Sequence, residues 1–307
     1  MAKLRDKLLD PSAPVTLFEM VPPAADKPAA ADSAMAELGT VTRLVDAINL
    51  PEIHDETRGG TPRSVKFVPR LEPRVLGARI LRELEVEVVL NRCVVHDPDQ
   101  LRWFRETQQD FGVDHIVLVG GESSEIQYPG PNVLEAADQL RAAGLGIGAG
   151  GISIPSRVQE AERIRRKNAR GLTFFTTQVL FDSNDIVWLI QRLHGLEARI
   201  FLSFAPVSHP RDIEFLRWLG ADIPADLDRF LLQAQDGAMA SPEACFTRSL
   251  DLAQRILMDV FDNLPPDPPL IGLNVEHINQ RNFRAAVRML ERLGSLYTSL
   301  MAAHARV

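Results

Sequence analysis

The chain has 307 residues, of which 45% are apolar and 24% charged, with a formal net charge of −7. That apolar share is enough for a large core, and a negative balance with no basic run argues against duplex nucleic acid as a partner. Two cysteines, Cys93 and Cys245, show no CxxC pairing and no His read as a metal partner, so neither a disulfide framework nor a metal site is expected. The opening MAKLRDKLLDPSAP has no apolar h-region, and no window of about 20 apolar residues exists. The expectation is a cytoplasmic protein without membrane contact.

Along the chain, short β-branched apolar runs alternate with stretches of helical period. The runs are Val15–Met20, Leu44–Leu50, Val86–Val95, His115–Val119, Leu145–Ala149, Leu172–Thr177, Arg199–Phe204 and Leu270–Val275. Gly120-Gly121 and Gly150-Gly151 are read as ending the fourth and fifth runs. Helices are expected at Pro131–Ala143, Ser156–Lys167 and Asn184–Leu193. Strict alternation means a parallel sheet with helices outside. Eight units favour closure, and no GxGxxG, the mark of an open dinucleotide-binding sheet, follows an early strand. The fold expected is therefore an α/β chain forming a (β/α)8 TIM barrel, one domain over residues 1–307. A helical insertion at about 205–269 separates the last two strands, with helices at Arg211–Leu219, Ala225–Gln235 and Glu243–Asn263. The polar stretch 51–64 is a second long loop.

A barrel carries its site at the C-terminal ends of its strands. That rule selects Glu19, Asn49, Glu52, Asn91, Glu122, Gln178, Ser203, Ser208, Asn274, Glu276 and His277. Most such residues cap turns or face solvent. Glu19 stands out because Phe18 and Met20 flank it in an apolar strand. Burial there would raise its pKa, which suits a proton donor near neutrality. The plainer reading pairs it with a rim arginine such as Arg92. The glycine pairs are either tight turns or backbone cradles for phosphate. Trp103, Trp188 and Trp218 read as packing between helices and barrel.

Several segments, in order from about residue 15 to 280, resemble the methylenetetrahydrofolate reductases. Leu17-Phe18-Glu19-Met20-Val21-Pro22-Pro23 is similar to that family's (F/L)-E-x-x-P-P opening. His115 to Glu122 resembles the strand-four segment ending in Arg-Gly-Asp. Phe175 to Asp182 resembles Ile-Thr-Gln-Phe-Phe-Phe-Asp, and Ala205-Pro206-Val207-Ser208 resembles Leu-Pro-Val-Ser.

The resemblance implies a barrel that reduces 5,10-methylenetetrahydrofolate to 5-methyltetrahydrofolate, in one-carbon metabolism and methionine biosynthesis. It makes Glu19 the general acid and puts Glu122 on the pterin and Gln178 on the folate. Asn49 falls at the strand-two position where the family has a Thr near its flavin, and it is expected, with Asn274 and Glu276, among the further substrate contacts. Four flavin-contact positions carry other residues here: Leu90, Gly120, Gly150 and Ile154. Lys167 matches a lysine near the flavin phosphates. In the flavin-independent members that the chain resembles, NADH or NADPH passes hydride directly. Gly120, Gly150 and Gly151 would then leave room for the nicotinamide. An FAD-dependent reductase, a non-catalytic folate-binding subunit and a barrel hydrolase using Glu19 and Glu122 are the alternatives. Association into a homo-oligomer through the outer helices is left open.

Overall fold

The computed structural model describes residues 3–55, 67–121, 126–234 and 237–304. Among these, eight parallel strands close into a barrel in sequence order, the last pairing with the first. They are β1 Thr16–Met20, β2 Ala47–Pro51, β3 Glu87–Cys93, β4 His115–Val119, β5 Gly148–Ser153, β6 Leu172–Thr177, β7 Arg199–Phe204 and β8 Leu270–His277. The helices are α1 Leu4–Leu8, α2 Pro28–Gly39, α3 Pro73–Glu83, α4 Gln100–Gln109, α5 Val133–Ala142, α6 Glu160–Asn168, α7 Asn184–Arg192, α8 Pro210–Trp218, α9 Ala225–Leu232, α10 Pro242–Asp262 and α11 Phe283–His304. The expected TIM barrel is the fold observed. The three inserted helices α8 to α10 lie between β7 and β8, close to the expected ranges. No helix among the described residues is long and apolar enough to cross a membrane.

Successive side chains of a strand point to opposite faces. Phe18, Ile48, Leu50, Leu90, Leu118, Phe175, Leu202 and Val275 therefore face outward and pack with the helices in the main core. Leu17, Ala47, Val89, Val117, Phe174 and Phe201 face inward and fill the barrel together with Leu4 and Leu8 of α1. The helix α1 thus stops the N-terminal end of the barrel. The buried Arg199 fastens it there, donating to the carbonyls of Lys7 (3.1 Å), Leu8 (3.0 Å) and Asp10 (2.8 Å), and to that of Ile271 in β8.

Strand five departs from the expectation. It begins at Gly148 and runs through Gly150-Gly151 to Ser153, so the glycine pair lies inside the strand and not after it. A run with three glycines has little strand propensity of its own. The reason for the glycines is lateral. The rings of Phe174 and Phe201 meet edge to face inside the barrel, with centroids 6.1 Å apart. A Cβ on Gly150 would stand 2.4 Å from the Phe174 ring, and one on Gly272 would stand 2.4 Å from Phe201. Each glycine gives up its side chain to the aromatic on the adjoining strand. Gly150→Ala is accordingly expected to destabilise the fold by about 1–3 kcal/mol, as overpacking does. A urea denaturation midpoint unchanged from the parent would contradict this packing account.

Candidate functional site

At the C-terminal end of the strands a cleft of about 1140 Å³ opens above the Phe174–Phe201 layer. Its floor is polar. Glu19 shares the inward face of β1 with Leu17, and its register partners are Asn49 on β2 and Glu276 on β8. Two carboxylates from the first and last strands thus sit side by side where the barrel closes.

Asn49 Nδ2 donates to Glu19 Oε2 at 2.7 Å. Burial raises the Glu19 carboxyl to about 7, against a hydrogen bond from Asn91 that favours the anion. Burial also raises Glu276 well above the ordinary carboxylate range, and the adjacent Glu19 charge adds to the effect, while a hydrogen bond to Ser203 opposes it. Asn274 Nδ2 donates to Ser203 Oγ at 3.0 Å and lies 3.4 Å from Glu276 Oε1. Two like charges this close do not both form readily, so the pair retains a proton near neutral pH. Arg92 is not the counter-ion of Glu19. It pairs with Glu52 at 2.7 Å and Asp97 at 2.8 Å, which sets aside the plainer reading of Glu19.

The sequence-selected residues divide by depth. Glu19, Gln178, Glu276, Gly120 and Lys167 line the cleft. Asn49 and Asn274, expected to touch substrate, are fully buried and hold the two carboxylates by their side-chain amides. Gly150 and Gly151, expected to touch a cofactor, lie below the mouth against Phe174 and against Leu172 and Phe175. Leu90 faces the outer core. Asn91, one residue on, reaches the cleft, as does Cys93 at the end of β3. Gln178 donates to Leu219 O at 2.9 Å, which ties the β6 loop to the end of α8. Glu122 lies outside the described residues. His277 also lines the cleft, but burial pushes it down to about 4, so it is neutral at pH 7 and unsuited to donate a proton.

Two sets of lining residues were not singled out from sequence. Arg157, Arg163 and Arg166 join Lys167 along one wall and make it cationic. Burial, with Arg157 and Arg163 near, brings Lys167 down to about 8, while Glu160 opposes this. Its Nζ donates to Ile152 O at 2.7 Å. The other set is Phe215 and Trp218 of α8, whose rings stack at 6.0 Å and which both line the mouth. Trp218 was expected between helix and barrel. The insertion instead carries it over the cleft, whereas Trp103 packs under the guanidiniums of Arg74 and Arg92. A signal existed in Phe215-x-x-Trp218, an i, i+3 aromatic pair in the insertion.

No family model matches the chain, and no curated protein matches it in sequence. In fold it is similar to an uncharacterised protein from Clostridium thermocellum that binds two copies of 5-methyl-5,6,7,8-tetrahydrofolic acid. The TM-score is 0.75 at 17% identity, covering 95% of this chain and 99% of that one. At that identity the likeness concerns the barrel.

Proposed function

We propose that the cleft binds a reduced folate and that the protein reduces 5,10-methylenetetrahydrofolate to 5-methyltetrahydrofolate with NAD(P)H. The observation that carries the reading is Glu19, a carboxyl raised to about 7 at the floor of an open cleft, beside Glu276. A merely structural carboxylate in a barrel gains nothing from such a position. The motif resemblance around Glu19 and the folate bound by the Clostridium thermocellum protein support the same substrate class. A cleft of about 1140 Å³ accommodates a folate and a second planar ring together.

The chemistry assigned to the chain's own groups is short. Glu19 donates its proton to N10 of the folate as the N10–methylene bond breaks, leaving a cationic C=N at N5. The Glu19 carboxylate formed by that transfer stabilises the cation. Hydride from NAD(P)H then reaches the methylene carbon and completes the methyl group, giving NAD(P)⁺. Phe215 and Trp218 offer a face for an aromatic ring, and the Arg157–Arg163–Arg166–Lys167 wall suits an anionic tail or pyrophosphate.

FAD fits this cleft poorly at the ring end and acceptably at the phosphate end. Of the four substituted flavin-contact positions, Leu90 and Gly150 do not face the cleft, while Gly120 and Ile154 line it and supply no polar side chain. The cationic wall suits either dinucleotide. Hydride is therefore inferred to pass directly from the nicotinamide to the folate. The purified protein is expected to be colourless, and to oxidise NAD(P)H with methylenetetrahydrofolate without added FAD. A bound yellow chromophore, or strict dependence on FAD, would refute direct transfer. Folate binding with no NAD(P)H oxidation under either condition would leave a binding subunit.

The pair also gives a pH test. Burial raises both carboxyls and the Glu19 charge raises Glu276 further, so Glu276 is the one expected to stay neutral while Glu19 titrates. Glu276→Gln mimics that neutral form. The variant is expected to keep the fall in rate near pH 7, with that midpoint moved by less than about one unit. A pH–rate profile with the limb displaced by two units or more would mean that Glu276, not Glu19, titrates there.

A further inference from the structure

The reaction above leaves one cluster at the mouth unused. His54 lies in the segment after β2, Cys93 ends β3, and His96 closes the short 3-10 helix Val94–His96. One imidazole nitrogen from each His and the Cys93 Sγ all lie within 4.8 Å of one another. The two imidazole centroids are 4.3 Å apart. No metal site was expected from the sequence, although His96 stands three residues after Cys93; the third member arrives from the loop after another strand.

A single, partly buried network holds all three in place. Glu52, two residues before His54, accepts from Arg92 Nη1 at 2.7 Å and from the Cys93 N–H at 2.8 Å. Arg92, next to Cys93, donates also to Asp97 at 2.8 Å and to Gln100 at 3.1 Å. Asp97 follows His96, and Gln100 Nε2 donates to the carbonyls of Val94 (2.8 Å) and Asp97 (2.7 Å). Each of the three side chains is therefore within two residues of a network member. Glu52 Oε2 lies 3.4 Å from His54 Nε2, a carboxylate–imidazole contact of the kind that orients histidines in metal sites.

We propose that His54, Cys93 and His96 bind a divalent transition-metal ion of the zinc class. Two imidazoles and a thiolate suit such an ion, whereas calcium and magnesium require oxygen donors. Three protein ligands leave a fourth tetrahedral position. His54 and Cys93 line the cleft, so that position is accessible from it. The ion would also pin the β2 loop to the end of β3. The proposal is independent of the folate reading.

The test uses the full chain stripped of metal by a chelator and titrated with Co²⁺ as a spectroscopic probe. Saturation at one equivalent is expected, with a thiolate-to-cobalt absorption band that Zn²⁺ abolishes by displacement. Cys93→Ser should lose the band, and His96→Ala should weaken binding by about tenfold or more. Cys245→Ser, in α10, should keep the band. No thiolate–cobalt band, or a band that survives Cys93→Ser, overturns the proposal. Should circular dichroism show Cys93→Ser unfolded, His54→Gln decides the matter: affinity for Zn²⁺ within twofold of the parent overturns it, and a loss of about tenfold or more supports it.

Discussion

Glu19→Gln is expected to lower kcat by about 10²- to 10⁴-fold, the range general acids supply, while folate affinity changes little. Gln is nearly isosteric with the protonated acid and keeps a donor toward the cleft. What it lacks is a transferable proton. The effect should thus fall on kcat and not on KM, as for a group needed only in the transition state. On the proposed mechanism the acid form of Glu19 is the active one in the parent protein. Its carboxyl is raised to about 7, so kcat should hold below that pH and fall as pH rises through it. Steady-state rates from pH 5 to 9 check both statements. Near-parental turnover in the Gln variant would end the proton-donor assignment, whatever its binding.

Arg199→Met is expected to cost about 3 kcal/mol or more of stability, because it takes one buried, charged donor from several carbonyls at once. Met matches the length of the aliphatic stem but donates nothing. The carbonyls of Lys7, Leu8, Asp10 and Ile271 would all lose a charged donor, as would the Tyr297 hydroxyl at 3.4 Å. Arg199→Lys should recover only part of the loss, since an ammonium cannot span acceptors set out for a planar fork. Both variants can be ranked by urea denaturation. The cleft lies at the opposite end of the barrel, so ligand affinity of the folded variants should stay near the parent's. A destabilisation below about 1 kcal/mol would mean that α1 is held by Leu4 and Leu8 packing instead.

The strand count was readable from sequence because a buried parallel sheet leaves near-continuous apolar runs, as at His115–Val119 and Arg199–Phe204. Glu19 was readable for the converse reason, a charge inside such a run. What failed was phase and lateral packing. Leu90 and Asn91 are neighbours in sequence, yet a one-residue slip turns a cleft residue into a core residue. The Gly150-Gly151 pair looked like a turn because the residue that demands Gly150 is Phe174, on another strand. The partnership of Glu19 with Glu276 needed the closing register between β1 and β8, which no local pattern encodes. The same holds for His54 beside Cys93 and His96. Asn49 and Asn274 were found as rim residues, but their depth follows from the tilt and stagger of the closed barrel.

The seam between β1 and β8 also has a meaning in time. During synthesis Glu19 emerges long before Glu276, and the two strands that carry them can zip together only after the intervening units exist. Pairing so remote in sequence is entropically the slowest kind to form. Until it does, β1 is an unprotected edge, and Arg199 cannot yet reach the Ile271 carbonyl on β8. The acid pair and the bond from Arg199 to the Ile271 carbonyl therefore come into being in one event. A nascent or partly opened chain would be both loose and inert, and the proposed reductase activity would itself report that the last strand has docked.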